Sequence, residues 1–428
     1  MFRKLLTFEE AKKVILERFR LKPLGIEEIS LLEAGNRVLA LDITASKDIP
    51  PFDRSTVDGY AIRAQDSFGA EENRPIMLKA HGTVRAGETP KIVVRKKEAA
   101  EIVTGAPIPE GADAVVMIEQ TERKANRVRM FSAVASHENI MKAGQDIGKG
   151  ETVLKSGKLL GSREIGVLAA LGIAKVKVYV IPRVAVFSTG AEVIEPGRSL
   201  PAGKIYDTNA YSLSAAVLES GGKPIFLGVF PDNFIKLQKA FRHALAYADV
   251  VVTSGGVSVG PRDVMPKALA SLGKPGTIVS GIAIKPGKPT TIGLIRDKPV
   301  FSLPGHPTSA LLVFHLLVRP IIQAMGGRRV EEDLEVKAVT TTKMFSAKGR
   351  KTFVMVILKR DKLNRTVAEP VLAGDSGAIT TLARADGYVE IPENVQFVDA
   401  DEEVAVRLLE ENSRKQGEFD NTNVGVIV

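Results

Sequence analysis

The segment Ala248–Val264, ADVVVTSGGVSVGPRDV, sets three consecutive valines directly before Thr-Ser-Gly-Gly. A short, wholly apolar run of β-branched residues bounded by glycine predicts a strand buried on both faces, the habit of strands in parallel sheets. The small and hydroxyl residues that follow fall at the strand's carboxyl end, the edge at which open parallel sheets bind ligands. The flanking sequence repeats the pattern. Arg183–Gly190 (RVAVFSTG), Lys223–Phe230 (KPIFLGVF), Gly276–Ile284 (GTIVSGIAI) and Pro299–Gly305 (PVFSLPG) read as strands, with amphipathic helices at Asn209–Ser220 and Phe234–Tyr247. Such alternation predicts βαβ units and a mostly parallel sheet. His306–Gly327 (HPTSALLVFHLLVRPIIQAMGG) reads as a long apolar helix, kinked by Pro320 and stopped by its terminal glycines.

Further out the pattern changes. Thr7–Phe19 (TFEEAKKVILERF) has capping-box spacing at Thr7 and Glu10, with Phe8, Ala11, Ile15 and Phe19 on one helical face. Residues 74–136 break into short β-like runs and predict a small β-rich module; from about Glu331 the chain turns β-like again. The tail, 411–428, is expected to be poorly ordered. No internal repeat is evident.

Composition narrows the function classes. The 428 residues are 44% hydrophobic and 25% charged, a globular profile for which length alone suggests about three domains. No apolar run approaches the roughly 20 residues of a membrane span, and no sustained apolar stretch follows the basic N-terminus, so a cytoplasmic protein without a membrane role is expected. The absence of Cys removes disulfides and every thiolate metal site. The net charge of +9 is interleaved with acidic residues rather than gathered into a basic stripe, which argues against nucleic acid and suits an anionic small molecule. The five histidines, His81, His137, His243, His306 and His315, show no metal-ligand spacing; only His306 falls near a candidate site.

Three strand ends carry Ser or Thr beside Gly: Thr189 and Gly190; Ser254, Gly255, Gly256 and Ser258; and Pro304, Gly305, Pro307 and Ser309. One such loop could be no more than a tight βα turn, but three on one sheet edge point to binding, since glycine lets a ligand approach the backbone. Ile282–Thr290 (IAIKPGKPT) sets Lys285 and Lys288 around a Pro-Gly turn, two ammonium groups suited to an oxyanion or, alternatively, a solvated turn. Ile49–Ile62 (IPPFDRSTVDGYAI), with Asp53 and Asp58, and Val103–Val116 (VTGAPIPEGADAVV), with Thr104, are irregular without a local cause.

The ordered motifs PPFDRSTVDGYA, VTGAPIPEGADAVV, FSTGAEV, TSGGVSVGPRD, IAIKPGKP and LPGHPTSA together resemble the MoeA family, the molybdopterin molybdenumtransferases, to which the C-terminal part of gephyrin also belongs. The likeness runs from about residue 3 to about 408. It implies a multidomain α/β fold. An elongated N-terminal domain would take residues 1–50 and 137–175, with a β-rich domain, 51–136, inserted in it. A MogA-like α/β domain, 176–328, and a C-terminal β barrel, 329–410, would follow. It implies a homodimer whose cleft is completed by the partner's β-rich domain. The implied reaction places molybdate, or tungstate, on adenylylated molybdopterin and releases AMP with the help of Mg²⁺. A MogA-like adenylyltransferase is a possible partner.

Carried over by motif, Asp58, Thr104, Glu192, Asp232, Asp263 and Lys285 would be catalytic, with Asp232 and Asp263 holding Mg²⁺. Thr189, Gly190, Ser254, Gly255, Gly256, Ser258, Lys288, Pro304, Gly305, Pro307 and Ser309 would bind substrate. Arg350 (KGRKTFVMV) and Ser376 (AGDSGAI) would reach in from the C-terminal domain. The chain departs from the family at Ala191, Gln145, His306 and Gly281, where Asp, Glu, Asn and, in some bacterial members, Lys are found. A MogA-like adenylyltransferase would need only the α/β domain. A gephyrin-like scaffold would not need the full set of acids and lysines. A dinucleotide-dependent dehydrogenase would need G-x-G-x-x-G, which is not evident.

Overall fold

The computed structural model describes residues 5–19, 21–256, 264–329, 334–371 and 378–409. The chain divides into two compact units, one of residues 28–35 and 39–178, the other of 1–27, 36–38 and 179–428.

The smaller unit is built on a six-stranded sheet ordered Ala114–Met117, Gly59–Ile62, Glu98–Ile102, Ile76–Val84, Arg127–Met130, Thr121–Lys124. Alternate side chains take opposite faces. Tyr60, Ile62, Leu78, Val116, Val128 and Met130 form one core, and Ala61, Val84, Ala100, Ile102 and Val115 the other. Both faces of the central strand Gly59–Ile62 are therefore buried, and it has no polar alternation. A separate cluster of Leu39, Leu160, Leu168 and Val178 seats the helix Ser162–Ala170.

The larger unit holds the predicted α/β sheet, ordered Lys223–Phe230, Arg183–Thr189, Val250–Ser254, Lys298–Leu303, Thr291–Ile295, Pro275–Ser280. The first four strands are parallel and the last two antiparallel. The valine run is buried throughout, as its composition requires. Helices cover both faces: Asn209–Glu219 packs with Val184, Val252 and Phe301, and Phe234–Tyr247 with Phe187 and Val251.

The apolar run after Gly305 differs from expectation in two ways. Its regular α-helical pattern is interrupted one turn before Pro320. An α-helix, Pro307–Val313, widens into a π-helical turn, Phe314–Val318, and resumes as Arg319–Met325. Proline lacks an N–H and its ring crowds the carbonyl four residues earlier, so the turn just before Pro320 absorbs the mismatch. The 19 residues Pro307–Met325 are also long and apolar enough to match a membrane span by composition, contrary to the reading that no run was. Leu312, Val313, Phe314, Leu317, Ile321 and Ile322 account for this: they lie in the α/β core.

Five strands, Glu335–Thr340, Lys351–Arg360, Thr366–Pro370, Gly387–Ile391 and Glu403–Leu408, close into a barrel, because Lys351–Arg360 pairs with both Thr366–Pro370 and Gly387–Ile391. Phe353, Met355 and Tyr388 of the barrel join the α/β core directly. The N-terminal helix, Phe8–Arg18, starts with the predicted capping box: Glu10 N–H donates to Thr7 Oγ1 (3.1 Å) and Thr7 N–H to Glu10 Oε2 (2.7 Å). Its face of Phe8, Ala11, Ile15 and Phe19 also lies in this core, although the resemblance had assigned residues 1–50 to the elongated domain. Burying an aromatic or Ile side chain contributes about 1.5–3 kcal/mol, which explains why so short a helix docks there.

Candidate functional site

Parallel register creates the site. Ser188 lies opposite Ser254 and Ser254 opposite Leu303, so three loops leave the sheet at one level. Gly255 N–H donates to Leu303 O (3.1 Å), pinning the second loop to the third. Gly255 takes φ +92°, and a Cβ there would lie 2.2 Å from Thr189 O, so only glycine fits between the first two loops. These loops floor a cleft of about 1150 Å³. The opposite wall comes from Ile284–Lys285, which pairs in parallel with the barrel strand Lys351–Arg360 through Ile284↔Lys351 and Lys285↔Thr352. That pairing brings Lys285, Lys288 and Arg350 to the same space. Thr290 Oγ1 donates to Gly287 O (2.7 Å) and braces the lysine turn.

The cleft gathers most of the residues singled out from sequence. Thr189, Glu192, Asp232, Ser254, Gly255, Gly256, Lys285, Lys288, Pro304, Gly305, Pro307, Ser309 and Arg350 all line it. Gly190 does not; it is buried behind Glu192 and Val193. Ser258, Asp263 and Ser376 lie outside the described residues, as does the 411–428 tail. Asp58 and Thr104 belong to the smaller unit, where antiparallel pairing of Gly59 with Ile102 sets them side by side. Asp58 Oδ1 accepts from Thr104 N–H (2.6 Å) and Oγ1 (2.9 Å). The backbone bond first, and the hydroxyl second, hold the Asp58 carboxyl below the ordinary carboxylate range.

The charge in the cleft is divided. Lys285, Lys288 and Arg350 form no ion pair with any described residue. Glu192 and Asp232, which line the cleft too, come from the loops that follow strands Arg183–Thr189 and Lys223–Phe230. Unpaired cations on a constrained wall suit a multiply charged oxyanion, with Arg offering a planar fork and Lys a point charge. His306, a departure, lines the cleft before helix Pro307–Val313. Ala191 supplies only its carbonyl, which accepts from Lys204 Nζ. His243 is exposed and tilts against Tyr247 (ring centroids 5.1 Å apart), and His315 meets Tyr388 edge-on (6.1 Å).

Sequence reasoning missed two residues. Asp207 and Asn209 both line the cleft at the start of helix Asn209–Glu219. Asn209 Nδ2 donates to Ser254 Oγ and to Gly305 O, each at 2.7 Å, and Ser254 Oγ donates to Pro304 O (2.9 Å). One amide thus ties the second and third loops together. The only signal was an Asp-x-Asn spacing, which reads equally as an ordinary helix start.

Comparison with known proteins agrees with this architecture along the chain. The description "MoeA N-terminal region (domain I and II)" matches residues 6–172, "Probable molybdopterin binding domain" residues 185–324, and "MoeA C-terminal region (domain IV)" residues 337–409. A molybdopterin molybdenumtransferase of Haemophilus influenzae is 38% identical over 351 residues, covering 82% of this chain and 85% of that protein. The chain belongs to the MoeA family. Two solved MoeA structures from Pyrococcus horikoshii, at 43% and 34% identity, superpose with TM-scores of 0.80 and 0.77, each covering 95% of this chain and 100% of the other. The multidomain α/β fold implied by the motifs is the MoeA fold, and the chain is an enzyme of molybdenum cofactor biosynthesis rather than a dehydrogenase.

Proposed function

We propose that the protein transfers molybdate to the dithiolene of adenylylated molybdopterin and releases AMP. The observation that carries this reading is the one cleft shared by Lys285, Lys288 and Arg350, which have no ion-pair partner among the described residues, and three glycine-bearing strand ends. Molybdate is a tetrahedral dianion, and phosphate shares its shape and charge, so one cationic wall serves both. Lys285 and Lys288 would neutralise charge that develops as the phosphoanhydride opens. Arg350, fixed at the head of the barrel strand, would orient the oxyanion. Tungstate, of equal charge and nearly equal size, is an alternative metal oxyanion, and a MogA-like adenylyltransferase would supply the activated pterin. A cytoplasmic setting is part of the same proposal.

The cleft fits a Mg²⁺ requirement. Three carboxylates, Glu192, Asp207 and Asp232, line it, and Thr189 Oγ1 is buried with no partner among the described residues. Mg²⁺ is commonly held by one or two carboxylates together with substrate phosphate, so Asp232 and Glu192, with Asp263 from the motif, would hold it. When bound it would offset the charge of the phosphate oxygens. Among the described residues no three acidic or His side chains cluster for a metal, in keeping with a site finished by substrate.

Asp58 and Thr104 enter through a homodimer, in which the partner's β-rich domain would complete the cleft. Their exposure supports this, since neither side chain has a packing role. The test is direct: purified protein with adenylylated molybdopterin, Mg²⁺ and molybdate should release AMP in proportion to enzyme, and tungstate run in parallel would report the metal preference. No AMP release with either oxyanion would overturn the proposal.

A further inference from the structure

The loop-side wall holds two acceptors with nothing to accept. Asp207 is 3% exposed, and its Oδ1 takes hydrogen bonds from Ser188 Oγ (2.7 Å) and Ala210 N–H (3.0 Å). Its Oδ2 is buried with no partner among the described residues. Asn209 is 8% exposed, and its orientation is fixed, because Gly305 O can only accept and must face Nδ2. Asn209 Oδ1 is thereby turned away and is likewise buried without a partner among the described residues. Leaving such a group unpaired is one of the more expensive arrangements in a folded protein, and a bound ligand is one of its recognised explanations. Both residues line the cleft, and the cations of the other wall do not reach them to form an ion pair.

We infer that Asp207 Oδ2 and Asn209 Oδ1 form a paired acceptor that recognises two adjacent N–H or O–H donors on the substrate, assigned here to the 2-amino and N3–H edge of the pterin ring. The inference rests on the cleft being the pterin and nucleotide site proposed above. An anion cannot be the occupant, because a second negative charge against a buried carboxylate is repelled. A ligand anionic at one end and donor-rich at the other matches the divided wall: oxyanion toward Lys285, Lys288 and Arg350, donors toward Asp207 and Asn209. The ribose diol of AMP presents the same paired-donor chemistry, and the two sources are separable by experiment. Asp207 and Asn209 are then specificity-determining residues, distinct from the groups that stabilise charge.

Asp207→Asn is the informative variant. Its amide oxygen keeps the bonds to Ser188 and Ala210, since the Ala210 N–H requires an acceptor, and only Oδ2 is exchanged for a donor. Binding of 6-hydroxymethylpterin, AMP and molybdate to the full-length protein would be measured calorimetrically, with the melting temperature of each variant recorded. Loss of one hydrogen bond to a charged acceptor predicts pterin binding weakened about 10- to 100-fold, with molybdate binding and melting temperature unchanged. Weakened AMP binding with pterin unaffected would keep the paired acceptor and assign it to the ribose. Equal pterin and AMP affinities in wild type and variant would overturn the inference while leaving the proposed function standing. A parallel loss of all three ligands with a lowered melting temperature would show a structural brace and overturn it too. Failure of the wild-type protein to bind either organic ligand would overturn both readings.

Discussion

Lys285, Lys288 and Arg350 carry their charge into the cleft without a carboxylate partner among the described residues, so removing any one orphans none of the described acids. Lys288→Ala should therefore leave stability nearly unchanged but slow single-turnover AMP release by about 10²–10³-fold. A loss below threefold would exclude Lys288 from charge stabilisation. Asp58 permits a second test. Its pKa is depressed by Thr104, first through the backbone and then through the hydroxyl, so this group stabilises the fold above its ordinary pKa of 3.8 and ceases to as pH falls through the depressed value. Thr104→Val deletes only the hydroxyl, and an NMR titration of Asp58 should move part of the way back up; an unmoved midpoint would mean that the hydroxyl bond is absent in solution. Asp58 and Thr104 were legible only through family motifs, because the pairing of Gly59 with Ile102 brings together two residues 46 positions apart and no local periodicity records it. Asp207 and Asn209 stayed hidden for the opposite reason: Asp-x-Asn before a helix is so common that it carries no signal.

At the level of elements, the parallel half of the sheet was readable because strands buried on both faces must be apolar throughout, as the runs at Arg183, Val250 and Pro299 are, while the edge strand Lys223–Phe230 is apolar yet only partly buried. The antiparallel half was not. Thr291–Ile295 and Lys298–Leu303 are joined by Arg296 and Asp297 at φ 52° and 63°, both in the left-handed region. A two-residue hairpin of that kind ordinarily announces itself by Asn-Gly, and Arg-Asp gives no such notice. The glycine loops, by contrast, follow from geometry. Gly255→Ala would combine a strained backbone with a Cβ 2.2 Å from Thr189 O. We expect a loss of about 1–3 kcal/mol in urea denaturation, together with weaker molybdate binding, because relief requires the loop to leave the cleft floor. A variant as stable as wild type would mean that the three loops are not in contact.

For the larger unit as a whole, Lys351 links regions far apart in sequence. Its ammonium meets Glu9 Oε1 (2.8 Å) on the N-terminal helix and Glu390 Oε2 (3.5 Å) in the barrel, and it lies 5.1 Å from the Phe8 ring. Burial alone would lower its pKa, but the bond to Glu9 and the charge of Glu390 raise it overall, while Lys351 depresses Glu9. The raised group contributes stability below its ordinary 10.5 that disappears as pH climbs through the folded value; the depressed one contributes above 4.5 and disappears on acidification. Lys351→Ala should thus destabilise by about 1–2 kcal/mol between those limits, modestly because Glu9 is exposed and Glu390 retains Arg407 at 3.1 Å. Equilibrium unfolding at pH 4, 7 and 11 would show the difference shrinking at both extremes; a constant difference would assign the effect to packing on Phe8. The short strand Ile284–Lys285 has a wider mechanical meaning. It is the two-residue seam by which the lysine turn is sewn to the barrel, so the barrel cannot rock without dragging Lys285 along. A ligand gripped by Arg350 at one end of that seam and by Lys285 at the other would tighten both fabrics at once, and substrate capture and barrel stiffening become a single event.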